Sequence, residues 1–225
     1  MKKIFLSLVI LINFLTAFSQ SGEFGPFLGI SSYIGEVNQT KLFYMPSPAY
    51  GVVFRHNFHE RFTLRLETMH TNLRGDDMNS DNNYQILRNQ QFKTSLTDLS
   101  AGIEVNFLPY DKEKQKTKYF TPFVYTGISF LVIPEYKKGF SFAVPFTVGF
   151  KYALTSKISL GAEWSIRKTF TDYIDKLEDH VISPLLSKQE NKQLSYNPNN
   201  DWFTYTGILL TITVFSQETQ CPAYF

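Results

Sequence analysis

Hydrophobic and polar residues alternate with a period of two along most of the chain after residue 20. The clearest run is residues 140–152, where Phe, Val and Tyr occupy every second position and small or polar residues lie between them. A period of two places successive side chains on opposite faces of a strand. No stretch beyond residue 20 has a convincing apolar period of 3.6 residues. The pattern therefore predicts an all-β protein.

Eight segments carry this alternation, and the connections between them differ in length. The predicted strands are residues 23–35, 47–58, 61–71, 93–108, 119–134, 139–153, 157–170 and 201–215. The longest connections, 72–92 and 171–200, fall on one side, and the tight turns at 59–60 and 154–156 fall on the other. A soluble barrel or β-sandwich would also alternate, but a sandwich would not need such long strands or so many exposed aromatic residues. We therefore predict an eight-stranded antiparallel transmembrane β-barrel of the outer-membrane type.

The first 19 residues differ from the rest and are predicted to be a cleaved signal peptide. Lys2 and Lys3 precede a mainly apolar run at 4–15, and small residues follow at 17 and 19. The run is shorter than the roughly 20 residues of a spanning helix. The predicted organisation is therefore a signal peptide at 1–19, a barrel at 20–215 and a periplasmic C-terminal tail at 216–225.

Loss of the signal peptide changes the charge balance of the chain. The full chain has 22 Lys and Arg against 20 Asp and Glu, and Lys2 and Lys3 account for the excess. A neutral chain with 16% aromatic and 19% charged residues is neither disordered nor basic enough to favour nucleic acid. The only cysteine, Cys221, excludes a disulfide scaffold and a Cys-rich metal site.

Charged residues within the predicted strands lie on the face opposite to the large apolar side chains. In the third strand, for example, Leu64 and Leu66 oppose Arg65 and Glu67. A basic residue facing the bilayer midplane costs about 2–4 kcal/mol, so we expect these charges to face inward. The inward set is Arg55, Arg65, Lys151 and Arg167 with Glu67, Asp98, Glu104 and Glu163. Because eight strands enclose just enough room for side chains, we expect an ion-paired interior that does not conduct solutes.

The fifth predicted strand is apolar on both faces, so the inward placement of charges does not orient it.

Few residues of the chain suggest a catalytic or metal-binding site. His56 and His59 flank a turn with no further metal ligands, and Glu67, Glu104 and Glu163 are matched one for one by basic residues. A lipid-modifying enzyme would instead use loop-side residues, although no triad spacing marks them. Those residues are His70, Asp76, Asp77, Ser80 and His180. We expect no catalytic residue, metal, cofactor or small-molecule substrate.

The turn at 111–118 is the best candidate for contact with a protein partner. It is longer than a hairpin needs, and it contains four lysines against two acidic residues. The candidate contacts are Lys112, Lys114, Lys116 and Lys118. A run of charges is usually a solvated surface, but spare length on the periplasmic side favours a binding role.

The whole predicted mature chain resembles the PorG-like family of small outer-membrane barrels of Bacteroidota, which belongs to the type IX secretion system. The most specific block is Arg-Lys-Thr-Phe-Thr-Asp-Tyr-Ile-Asp at 167–175. The other matching segments are 33–38, 54–58, 64–67, 98–111, 121–127, 144–146, 149–152, 161–166, 201–203 and 221–222.

This resemblance implies an integral protein of the outer membrane, in contact with its lipids and without catalysis. It also implies association with the periplasmic ring of the secretion machine, which is built from a ring lipoprotein and its partner. Two alternatives stay open. One is a stand-alone structural or adhesive barrel that acts through loops 72–92 and 171–200, and the other is the lipid-modifying enzyme.

Overall fold

Eight antiparallel strands close into a single barrel in the computed structural model, which describes residues 22–35, 43–76, 91–110, 112, 119–134, 139–170, 174 and 201–215. The strands are β1 (Gly22–Ile34), β2 (Ser47–His59), β3 (Phe62–Asp76), β4 (Gln91–Asn106), β5 (Phe120–Val132), β6 (Phe140–Ala153), β7 (Ile158–Thr169) and β8 (Trp202–Phe215). Each strand pairs with the next, and β1 closes the barrel against β8. The predicted fold class is confirmed.

The predicted signal peptide at 1–19 and tail at 216–225 lie outside the described residues. Within the described part of the chain, no helix is long and apolar enough to cross a membrane.

The two ends of the barrel differ in their connections. Gly22 and Phe215 lie at one end, here called the terminal end, which also holds the connections after β2, β4 and β6. The opposite end, here called the loop end, holds the connections after β1, β3, β5 and β7. At the loop end, β3 and β4 stay paired as far as Asp76 with Gln91, beyond the last pairs that either strand makes with its other neighbour. The β3–β4 hairpin is therefore the longest at this end.

The outside of the barrel is an apolar surface. On β6 the predicted alternation is confirmed, because Phe142, Phe146 and Phe150 point outward, each about half exposed, while Thr147 and Lys151 are fully buried. The other strands follow the same pattern, with outward Leu, Ile, Val and Phe side chains that are roughly half exposed. Soluble monomers rarely expose a contiguous apolar surface of this size.

β5 has a clear orientation, although its sequence is apolar on both faces. Phe123, Tyr125 and Leu131 point inward and are about 1% exposed or less, whereas Ile128 points outward and is 67% exposed. Leu131 lies in the loop-end half of the interior, which is itself an apolar core that contains Met69, Leu73 and Leu96. Phe123 and Tyr125 instead lie against the guanidinium groups of Arg55 and Arg65 in the charged half. The polarity of its own residues therefore does not orient β5, even where this strand crosses the charged half of the interior.

A close approach of β4 and β5 depends on two glycines. Gly102 and Gly127 are directly paired across these strands. A Cβ atom at Gly102 would lie 2.1 Å from the backbone oxygen of Thr126 and 2.6 Å from the Cα of Gly127. Both are backbone atoms, so neither can rotate away as a side chain could.

We expect Gly102→Ala to lower the free energy of unfolding by about 1–2 kcal/mol, because the two strands must move apart to accept the methyl group. Urea unfolding in detergent micelles, followed by tryptophan fluorescence, measures the change. Gly161→Ala is the matched control, since a Cβ there meets its nearest atom, the Phe150 backbone oxygen, at 3.2 Å. Equal losses for the two variants would contradict this explanation.

Candidate functional site

All eight charged residues predicted to face inward are buried inside the barrel. Arg65 lies at the centre of the group and is fully buried. Its guanidinium makes two hydrogen bonds to the Glu163 carboxylate, at 2.8 and 2.7 Å, and approaches the Glu67 carboxylate at 2.6 Å. Arg167 donates to Glu67 from the other side and to Asp98 Oδ2 at 2.9 Å. These five residues form a continuous ion-pair network across the lumen.

A second cluster lies nearer the terminal end and centres on Glu104. Its carboxylate accepts from Lys151 Nζ at 2.6 Å and from Arg55 Nε at 2.9 Å. Arg65 Nη1 also reaches Glu104 Oε2, at 3.4 Å, and so joins the two clusters. Since an unpaired buried charge is very costly, this mutual pairing accounts for four basic and four acidic residues in so narrow a space.

Aromatic rings fill the remaining width of the lumen between the charged groups. The Arg65 guanidinium lies 4.9 Å from the centre of the Tyr125 ring, and the Arg55 guanidinium lies 5.3 Å from that of Phe123. Arg167 stands in the same relation to Tyr205, at 5.3 Å. Such cation–π contacts gain strength where water is excluded. Ion pairs and rings together leave the middle of the barrel filled with side chains.

The geometry argues against acid–base chemistry at the lumen carboxylates. Glu67, Glu104 and Glu163 each have a basic nitrogen within 3 Å, and all three are buried. A general base needs access to a substrate proton, which these paired groups lack. Their arrangement is that of a charge network that fills the interior.

The terminal end contains a further ion pair that the sequence prediction omitted. Glu23, at the start of β1, is 1% exposed and lies 3.2 Å from Lys112 Nζ, which also donates to Thr213 Oγ1 at 3.1 Å. Asn57 Nδ2 donates to the same carboxylate at 3.0 Å. The alternation of Glu23 with Phe24 was a signal for its inward position, because Phe24 is half exposed and points outward.

One predicted partner contact, Lys112, faces into the end of the barrel, and its role as a contact stays a prediction. Lys112 is only 7% exposed, because its ammonium turns inward as the counter-ion of the buried Glu23 carboxylate. Burial lowers the pKa of Lys112, and the nearby Glu23 opposes that change. Tyr110 lies in the same opening, with its ring 4.8 Å from Lys151 Nζ, and burial raises its pKa well above the usual value. These side chains close the terminal end of the barrel.

Apolar side chains close the described part of the loop end, and Ile174 is inserted among them. Ile174, which belongs to the connection after β7, is fully buried in the apolar core. Its backbone N–H donates to Asp201 Oδ2 at 3.0 Å, and its carbonyl accepts from Thr94 Oγ1 at 2.7 Å. Asp201 also accepts from the Tyr33 hydroxyl at 2.5 Å. No feature of the sequence predicted this insertion.

Of the loop-side candidate residues, the structure describes His70 and Asp76, which are six positions apart on β3, about 20 Å along the strand. His70 lies on the outside of β3, with its ring 5.3 Å from that of Tyr50 and its Nδ1 2.9 Å from Thr97 Oγ1. Asp77, Ser80, His180, Lys114, Lys116 and Lys118 lie outside the described residues. Among the residues described, no group of three or more His, Cys, Asp or Glu side chains could hold a metal ion.

Solved structures of similar overall shape share little sequence with this chain. Neisserial surface protein A (NspA) has a TM-score of 0.47 at 7% identity, covering 86% of this chain and 96% of its own. The N-terminal β-barrel domain of Pseudomonas aeruginosa OprF has a TM-score of 0.45 at 13% identity, covering 86% and 98%. The outer membrane protein OprG of Pseudomonas aeruginosa has a TM-score of 0.44 at 10% identity, covering 86% and 97%. Each likeness is one of overall fold.

Sequence comparison gives one result that covers nearly the whole chain. The model of a family described only as a domain of unknown function matches residues 2–223. No curated protein matches the chain in sequence.

Proposed function

The chain belongs to that family, DUF6089, and we propose that it is a non-enzymatic outer-membrane barrel that anchors or assembles the periplasmic ring of the type IX protein secretion system. The observation that carries the proposal is the sealed lumen. A barrel filled by ion pairs in the middle and closed at both ends by the described side chains offers no conduit, and its lumen carboxylates are not accessible to a substrate. Its function must therefore lie on its outer surface and rims.

The outer surface supports a location in the outer membrane. A closed barrel satisfies every strand hydrogen bond internally, which is what a membrane-spanning sheet requires. The outward Phe, Leu, Ile and Val side chains form the apolar belt that lipid would cover. Short turns of such barrels face the periplasm, so the terminal end, with turns after β2 and β6, is the periplasmic end.

The periplasmic end supports a role in holding a partner. The connection after β4 is fixed against the turn after β2, because Asn106 N–H donates to the Arg61 carbonyl at 2.8 Å and Tyr110 N–H donates to the Glu60 carbonyl at 3.1 Å. These two hydrogen bonds hold the two neighbouring turns together as one edge of the terminal end. The basic run at 114–118 follows directly in the sequence, and the resemblance to the PorG-like family suggests a ring lipoprotein and its partner as what this edge meets.

We expect the triple variant Lys114→Gln, Lys116→Gln, Lys118→Gln to retain roughly tenfold less of the periplasmic ring proteins when the barrel is purified in mild detergent. Removing three positive charges from one contact surface slows association with an oppositely charged partner and weakens the bound complex. The measurement is quantitative mass spectrometry of co-purified proteins, with secretion of C-terminally targeted cargo as a second readout. Lys157→Gln, on the exposed turn after β6, is the control. If even the unaltered barrel retains no ring protein and its deletion leaves secretion normal, the secretion role is refuted.

A stand-alone adhesive or structural barrel is the second candidate, and the long β3–β4 hairpin favours it. Residues 72–76 and 91–96 continue this hairpin past the ends of the neighbouring pairings, on the side that would face the medium. This function predicts that deletion of the gene changes surface attachment or envelope integrity while secretion stays normal. The same deletion strain therefore separates the two functions.

A further inference from the structure

The barrel closes at the seam between β1 and β8, the first and last strands of the chain, whereas every other neighbouring pair is consecutive in the sequence. Contacts between segments so far apart carry the largest loss of chain entropy on closure. At the terminal end this seam is irregular. Gly22 pairs with Phe215, and Glu23 pairs with Thr213. Val214 therefore has no opposite residue on β1, and the ladder of backbone hydrogen bonds is interrupted at this point.

The buried Glu23 carboxylate lies at this interruption and accepts hydrogen bonds from both sides of β1. Thr211 on β8 donates to its Oε2 at 3.0 Å, and Asn57 on β2 donates to its Oε1 at 3.0 Å. Lys112 Nζ lies 3.2 Å from Oε2 and also donates to Thr213 Oγ1 at 3.1 Å. The ammonium group of Lys112 therefore contacts β1 and β8 at the same time.

Lys112 reaches the seam from the other side of the barrel. The described residues of the connection after β4, which are 107–110 and Lys112, are here called the strap. The strap is fixed beside β5, because Leu108 N–H donates to Thr121 Oγ1 at 3.1 Å, and beside the turn after β2 through the Tyr110 N–H. In the ring of eight strands, β8 lies opposite β4. The strap therefore crosses the mouth of the terminal end and joins the end of β4 to the seam.

We propose that the strap is a latch for barrel closure. The site of the Lys112 ammonium exists only where Glu23 of β1 and Thr213 of β8 stand side by side, so the strap docks only on a completed seam. Once docked, the ammonium holds the two strands together at the point where their backbone pairing is interrupted. Hydrogen bonds between charged groups are the strong ones, which suits one side chain to this task. The inference rests on the closed barrel and depends on neither the membrane location nor the role in secretion.

The test is hydrogen–deuterium exchange, followed by mass spectrometry, on the full chain in mild detergent. Lys112→Met keeps the apolar length of the side chain and removes its charge, so the amides of 22–28 and 208–215 should exchange at least roughly tenfold faster. Amides in the middle of β3 and β4 should be unchanged. Thr213→Val removes the β8 contact alone and should give a smaller increase in the same segments. Lys157→Gln is the matched control, because this lysine is exposed while its carbonyl accepts from Thr213 N–H at 2.7 Å.

A second variant tests whether the strap depends on the seam. Gly29 pairs with Gly207 in the middle of the seam, and a Cβ atom at Gly29 would lie 2.2 Å from the backbone oxygen of Thr206. Gly29→Ala should therefore loosen the seam at a distance from the Lys112 site, and the amides of the strap should exchange several times faster. Gly51→Ala is the control, because it places a Cβ 2.1 Å from the backbone oxygen of Thr68, between β2 and β3.

Unchanged exchange at the seam in Lys112→Met would overturn the inference, since the ammonium would then not hold the two strands together. An equal increase in all eight strands would also overturn it, because the ion pair would then support the barrel as a whole. The same holds if the strap exchanges at one rate in Gly29→Ala and Gly51→Ala. Far-UV circular dichroism shows whether each variant keeps its β structure, and if Lys112→Met does not fold, Thr213→Val decides the result.

Discussion

Arg65→Met is expected to lower the free energy of unfolding by about 3–5 kcal/mol, the range found when one partner of a buried ion pair is removed. Arg65 is the shared partner of Glu67, Glu104 and Glu163, and the variant leaves their carboxylates in a fully buried space with one cation fewer. Methionine keeps most of the volume, so a cavity contributes little to the loss. Urea unfolding of the barrel in micelles measures the effect.

A double variant separates the lost charge from the lost shape. Adding Glu163→Gln to Arg65→Met removes the carboxylate that makes two hydrogen bonds with the guanidinium, so the double variant should be more stable than the single one by about 1 kcal/mol or more. Arg61→Gln, on the exposed turn after β2, is the control and should change stability by less than about 0.5 kcal/mol. Additive losses in the double variant would count against the ion-pair explanation.

The barrel was predictable because the alternation of apolar and polar residues that marks each strand is a local property of the sequence. Alternation along residues 140–152 fixes which side chains of β6 face outward, and charges such as Arg65 and Glu67 fix the inward face of β3 wherever they occur. The cost of exposing a charge to lipid decides the orientation of a strand without knowledge of its neighbours. Eight strands with unequal connections then leave a closed barrel as the simplest arrangement.

The contents of the barrel ends were not predictable, because they depend on contacts between distant parts of the chain. Lys112 has the same sequence context as the lysines that follow it, and only its distance from Glu23, nearly 90 positions away in the chain, marks it as buried. The orientation of β5 likewise depends on what its side chains meet inside the barrel, which is the Arg55 guanidinium for Phe123 and the apolar core for Leu131. The ion pairs were not predictable either. The alternation indicated which charged residues face inward, but not which of them contact each other.

The most specific sequence block, residues 167–175, contributes side chains to the inside of the barrel, and this limits what the block indicates about function. Within 167–175, Arg167 belongs to the central ion-pair network, Thr169 donates to the Asp201 carbonyl at 2.6 Å, and Ile174 closes the loop end. These residues therefore have a structural role in sealing the barrel. A shared block of this kind supports a shared fold more directly than a shared partner. The test of the partner belongs at the terminal end, where the described contacts do not involve this block.

Asp201→Ala is expected to lower the free energy of unfolding by about 3 kcal/mol, because it leaves two buried donors, the Tyr33 hydroxyl and the Ile174 N–H, without this carboxylate. The insertion of Ile174 should weaken with it, so protease added outside intact cells should cleave within 171–200 several times faster than in the unaltered chain. Thr94→Val removes the hydrogen bond to the Ile174 carbonyl alone and should give a smaller change in the same direction. Asp76→Ala, on the outward face of the β3–β4 hairpin, serves as the control at the same end. A cleavage rate in Asp201→Ala that matches this control would mean that the Asp201 contact does not hold Ile174 in place.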